Sequence, residues 1–134
     1  MPVTKTDVVP LRAEEDVVRA RQAVRSWAVD LAFGLVDQTK LVTAASELAR
    51  NAFTHGGGGS FRLDVLNTNG RHGLRLTFSD NGPGIADLEQ ALRDGYTTGS
   101  GLGLGLGGAR RLVNEFEIDS TVGKGTTVTA TRWR

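Results

Sequence analysis

Apolar and polar residues follow two different periods along this chain, and the switches between them divide it into elements. Residues from about Thr4 to Leu11 are short and β-branched and read as an edge strand, with Pro10 near its end. Glu14, Glu15 and Asp16 then load a helix start with negative charge, favourable against the positive end of the helix dipole. Val17, Val24, Trp27, Ala28 and Leu31 mark the buried stripe of that helix, and Gly34 is expected to end it. Asp37 reads as the N-cap of a second helix running to about Thr54, with the apolar line Leu41, Ala45, Leu48 and Ala52. Gly56, Gly57, Gly58, Gly59 and Ser60 break the chain.

The period then drops to two. Phe61 to Val65 alternates, a turn falls at Asn69-Gly70, and alternation resumes from Leu74 to Asp80, which predicts a hairpin with a loop longer than two residues. A short helix is expected over Asp87 to Arg93. The glycine-dense stretch Gly95 to Gly108 runs into Ala109, Leu112, Val113 and Phe116, whose spacing is that of a helical stripe. Phe116 to Val122 and Thr126 to Thr131 form a final hairpin across Gly123-Lys124-Gly125. The sum is an α+β two-layer sandwich: a mostly antiparallel, mixed sheet with helices on one face, in a single domain over residues 1–134.

Composition narrows the function more than the fold. A net charge of +1 gives no electrostatic footprint for nucleic acid. The absence of cysteine removes disulfides, thiolate catalysis and cysteine metal sites, and fits a reducing compartment. Only His55 and His72 are available for a histidine cluster. The longest apolar run, Trp27 to Val36, is interrupted by Asp30 and Gly34 and is too short for a bilayer. Met1 to Asp7 lacks the apolar core of a secretory signal, so a cytoplasmic location without membrane attachment is expected.

The glycine stretch is the feature around which the chemistry gathers. A side-chain-poor loop that empties into a helix offers free N–H groups to phosphate oxygens. A flexible linker has the same glycine content, but alternating glycine and leucine fused to an amphipathic helix favours the phosphate reading. No G-x-x-x-x-G-K-[ST] occurs, so this is not a P-loop chain. Gly103-x-Gly105-x-x-Gly108 matches the dinucleotide fingerprint, yet Thr97 to Ser100 stand where a strand is needed.

Three further clusters carry candidate chemistry. Asp80 continues the face of Leu74, Leu76 and Phe78, so its carboxylate points to the core side and needs a partner. It either caps the turn at Asn81 to Gly84 or accepts from the exocyclic amine of a purine. Glu47 and Asn51 stand at i, i+4 at the edge of the Leu48/Ala52 stripe. Asn51 supplies an oxygen suited to magnesium (Mg2+), and Glu47 can accept a proton from an attacking hydroxyl, although a solvated helix face carries such residues too. Thr126 faces inward with Val128 and Ala130, as a base-side hydroxyl or simply a β-branched strand residue.

Taken in order, Glu47-x-x-x-Asn51, Asp80-x-Gly82-x-Gly84-Ile85, Gly101-x-Gly103-x-Gly105 and Gly123-x-Gly125-Thr126 resemble the N, G1, G2 and G3 boxes of the GHKL ATPases, which share the Bergerat nucleotide-binding fold. The resemblance implies ATP with Mg2+: Asn51 as metal ligand, Glu47 as general base and Asp80 as the adenine-binding carboxylate. It also implies Gly82, Gly84, Ile85, Gly101, Leu102, Gly103, Leu104 and Gly105 as pocket and lid positions, and Thr126 beside the adenine. Within the superfamily the chain is most similar to the RsbT-like switch kinases of the anti-sigma regulatory factor group. Glu47-Leu48-Ala49-Arg50-Asn51, Asp94 to Thr98, and Gly103 through Leu112 carry that likeness. It implies a bacterial serine/threonine kinase that phosphorylates a STAS-domain antagonist and, once released, activates a PP2C-type phosphatase in a partner-switching stress response. Gly107-Gly108 departs from the proline of some relatives.

Rival readings are an anti-sigma factor that sequesters a sigma factor, and the catalytic fragment of a sensor histidine kinase. A phosphoacceptor helix pair ahead of Met1 and a longer lid between Ile85 and Gly101 are expected of the latter. A gyrase-like ATPase calls for a transducer domain. Nothing in the residues sets the oligomeric state.

Overall fold

The computed structural model describes residues 3–93 and 105–134. Its elements are β1 (Val3–Leu11), α1 (Glu14–Asp30), α2 (Leu35–Thr54), β2 (Gly59–Thr68), β3 (Arg71–Asp80), α3 (Leu88–Ala91), α4 (Gly105–Arg111), β4 (Glu115–Thr121) and β5 (Gly125–Trp133). The strands form one sheet in the order β1-β2-β3-β5-β4. Every pairing in it is antiparallel, so the sheet expected to be mixed is not.

Period two sorts the sheet into two faces. Phe61, Leu63 and Val65 of β2 sit opposite Phe78, Leu76 and Leu74 of β3, and Val128 and Ala130 of β5 continue the same face. The Phe61 and Phe78 rings stack with centroids 4.6 Å apart. Leu41, Ala45, Leu48 and Ala52 of α2, together with Val17, Val24 and Ala28 of α1, close over this face and form one buried cluster with it. The opposite face is mostly polar but carries Leu66, fully buried in register with Gly73 and Trp133, and the exposed Val8, and it holds one fully buried carboxylate. Asp64 accepts hydrogen bonds from Thr6, from Arg62 at 3.0 Å and from Arg75 at 3.1 Å. Burial alone raises its pKa, but these donors outweigh it and hold the carboxyl below the usual carboxylate range.

Several boundaries differ from the sequence reading for local reasons. The central hairpin turns on two residues: Thr68 pairs with Arg71, and Asn69 and Gly70 both adopt positive φ, 53° and 82°. That is the backbone a tight antiparallel turn demands. Gly34 does not end α1. Ala32 takes the left-handed conformation instead (φ 61°), and Gly34 is the N-cap of α2. Asp37 therefore falls inside the first turn of α2, where its carboxylate receives Arg132 Nη2 at 2.6 Å. Asp16 has a similar task in α1, reaching back to the N–H groups of Arg12 and Ala13 because the N-cap, Ala13, has no side-chain acceptor. Phe116 belongs to β4, with its side chain inward opposite Ala130, and so is not part of the helical stripe that its spacing suggested.

Candidate functional site

One end of the sheet gathers the candidate residues. Gly59, Asp80, Thr126 and Ser120 are successive register partners across β2, β3, β5 and β4, in a row on the covered face. Asp80 ends its strand and is half-buried; one of its oxygens, Oδ1, accepts from Gly82 N at 2.9 Å. It thus caps the turn, as one of the two sequence readings held, while the carboxyl still faces the helix layer.

Glycines from three segments make room for it. A Cβ at Gly56 would lie 2.2 Å from Asp80 Cγ and 2.6 Å from the Ala52 carbonyl oxygen. At Gly82 it would lie 2.6 Å from Gly56 Cα and 3.0 Å from Asp80 Oδ1, and at Gly125 2.1 Å from the Asp80 carbonyl oxygen. Gly84 meets the Thr121 carbonyl in the same way, and both Gly84 and Gly125 have positive φ, 78° and 104°. The carboxylate is framed by backbone, a surface to which a flat ring can come close.

The same contact ties Asp80 to α2. Gly56 follows the last turn of that helix, where the Asn51 carbonyl accepts from His55 N at 2.9 Å, so Asn51 belongs to the turn that borders Asp80. Glu47 stands one turn earlier, with its side chain 13% exposed and its Oε1 3.5 Å from Arg50 Nη1. Asn51 is half-buried. On the far side of the row, Thr126 is buried and its Oγ1 lies 2.8 Å from Ser120 Oγ. Ser120 Oγ also accepts from Ile85 N at 2.8 Å, which anchors the segment after Gly84 to β4. Gly105, with φ 69°, opens α4. Gly101, Leu102, Gly103 and Leu104 lie outside the described residues.

Gly107 sits in a tight crossing at the start of α4. A Cβ there would stand 2.3 Å from the Leu92 carbonyl oxygen, so α4 passes α3 at backbone contact. Gly56 and Ser120 stand outside the four sequence clusters: Gly56 reads locally only as a breaker, and the one sequence signal for Ser120 is its parity with Phe116 and Ile118. Among the described residues, no helix is long and apolar enough to cross a membrane.

This fold, with helices over one face of an antiparallel sheet, is that of the histidine kinase-, DNA gyrase B- and HSP90-like ATPases. Their family model matches residues 36–133, and the chain belongs to that family. Within it the chain falls in the serine/threonine-kinase branch: it is 42% identical to the serine/threonine-protein kinase RsbT of Bacillus subtilis over 125 residues, covering 93% of this chain and 94% of that one. It is 32% identical to an anti-sigma F factor of Bacillus licheniformis over 120 residues, covering 84% and 81% of the two chains. Among solved structures, the RsbU and RsbW domains of a Mycobacterium tuberculosis protein share the fold with a TM-score of 0.66 at 22% identity. The match covers 98% of this chain and 33% of that one.

Proposed function

We propose that residues 1–134 act as one ATP-dependent serine/threonine protein kinase domain in a bacterial partner-switching module of the stress response. The observation that carries this reading is the meeting, at Gly56, of the Asp80 carboxylate with the turn of α2 that bears Asn51, one turn beyond Glu47. Asp80 and Thr126 would hold the adenine, Gly82, Gly84 and Ile85 the wall beside it, and Gly101 through Gly105 the phosphates. Asn51 would supply a protein oxygen to Mg2+, an ion that keeps most of its other positions for water and phosphate.

When bound, ATP would supply the γ-phosphoryl group and Mg2+ would neutralise charge on it; the protein's share is positioning and electrostatics. Glu47, near the pocket edge, would orient the hydroxyl of the incoming serine or threonine and accept its proton. Arg50 Nη1, 3.5 Å from Glu47 Oε1, turns that carboxylate along the helix.

The substrate of this reading is a STAS-domain antagonist, and the partner after release is a PP2C-type phosphatase, both in the cytoplasm. Incubation with labelled ATP and STAS proteins of the same genome, followed by location of the phosphate, tests it. Label on one serine or threonine of one STAS protein is the expected result. The likeness to anti-sigma F factors favours a second reading, a sigma-factor sequestering protein. Co-purification with a sigma factor in place of a STAS protein and a phosphatase would select it.

A further inference from the structure

We propose that Ser120 is a positioning residue for base selection: its hydroxyl donates to Thr126 Oγ1 and so makes Thr126 a donor toward the pocket. The inference rests on the nucleotide reading above and deepens it. It starts from a hydroxyl inventory, since a serine has one proton and two acceptor lone pairs. Ser120 Oγ accepts from Ile85 N at 2.8 Å, which occupies one lone pair. Its proton then has two acceptors in reach, Thr126 Oγ1 at 2.8 Å and the Gly125 carbonyl at 3.3 Å. The first distance is the ordinary one for an O–H···O bond and the second is long.

The direction of that bond decides what Thr126 offers. If Ser120 donates, the Thr126 proton is left for the pocket; if Thr126 donates, only its lone pairs are left. Asp80, its direct neighbour across β3 and β5, is acceptor-only when ionised. The row therefore presents an acceptor beside a donor. Adenine carries the complement at one edge, the N6 amine as donor and ring N1 as acceptor, whereas guanine has O6 as acceptor and N1–H as donor. Ser120 touches no ligand in this account. It selects adenine through Thr126, and its bond to Ile85 fixes it for the purpose.

The test compares ATP with 1-deaza-ATP, in which N1 is replaced by C–H, on the wild type and on Ser120→Ala by titration calorimetry. The wild type is expected to bind ATP about tenfold more tightly than 1-deaza-ATP, the worth of one hydrogen bond. Ser120→Ala leaves the Thr126 hydroxyl free to turn; it is expected to lose about threefold to tenfold for ATP with less loss for 1-deaza-ATP, so that the preference narrows. A variant that weakens both nucleotides by the same factor overturns the proposal, because Ser120 then only supports the backbone. Unchanged affinities overturn it as well. Ser120→Cys keeps the volume with a weaker donor; it is expected to retain only part of the preference and carries the same comparison if the alanine variant does not fold. A wild type that binds ATP and 1-deaza-ATP equally removes the Thr126 route alone. A folded wild type that binds neither removes the nucleotide site itself.

Discussion

Asp80 and Thr126 face each other as direct partners across β3 and β5, both on the covered face and both at the strand ends. Strand parity delivers them to the same side, and the turns beyond them contain the glycines that leave the carboxylate open. A charged acceptor and a hydroxyl fixed side by side can read a heterocycle edge without induced rearrangement.

Asp80→Asn tests that pair with little change in shape. The amide exchanges an acceptor-only group for one that also donates, and a hydrogen bond to a charged group is worth about 1.5–3 kcal/mol. ATP affinity is expected to fall about tenfold to hundredfold or more, while circular dichroism and melting temperature change little.

Glu47→Ala separates binding from transfer. ATP affinity should stay within a factor of about three, and phosphorylation of the protein substrate should drop by about 100-fold to 10,000-fold, the range for removal of a general base. Unchanged phosphorylation by this variant would take Glu47 out of the mechanism.

Gly56→Ala places a methyl carbon where the Asp80 carboxyl and the Ala52 carbonyl stand. Both cannot give way at once, and overpacking of this kind costs about 1–3 kcal/mol. The melting temperature should fall, and ATP affinity with it, because relief requires Asp80 to move. Gly57→Ala controls for chain stiffness in the same loop, since a Cβ there meets nothing within 4 Å, although its φ of 74° adds backbone strain.

Much of this site was legible in the sequence. Parity puts Asp80 and Thr126 inward and helical spacing stacks Glu47 with Asn51, although only the resemblance of the four boxes singles them out; the structure sets Thr126 beside Asp80 and brings the α2 turn of Asn51 against it at Gly56. The strand and helix cores were legible too, because Phe61 to Val65 and Leu41 to Ala52 bury the faces that their periods single out. What escaped depends on contacts distant in sequence. Asp37 looked like a cap until Arg132, 95 residues away, claimed its carboxylate. Gly56 looked like punctuation because nothing local shows that Asp80 will fill its side-chain space. Asp64 is one polar position in the Phe61 to Val65 alternation, and only the pairing of three strands surrounds it with Thr6, Arg62 and Arg75.

Asp64 gives a pH prediction. Its folded pKa is depressed below the unfolded value near 3.8. The ionised cluster therefore stabilises the fold above that value, and the contribution is lost as pH falls through the lower folded pKa. Asp64→Asn should cost about 1–3 kcal/mol at neutral pH. The gap between variant and wild type in urea melts should narrow below about pH 4.

Direct titration of the wild-type chain with ATP at millimolar Mg2+, repeated on Asn51→Ala, tests the nucleotide site itself. Saturable binding by the wild type, weakened severely by loss of the Asn51 oxygen, is the expected result. A well-folded wild type that takes up neither ATP nor ADP under those conditions would contradict it.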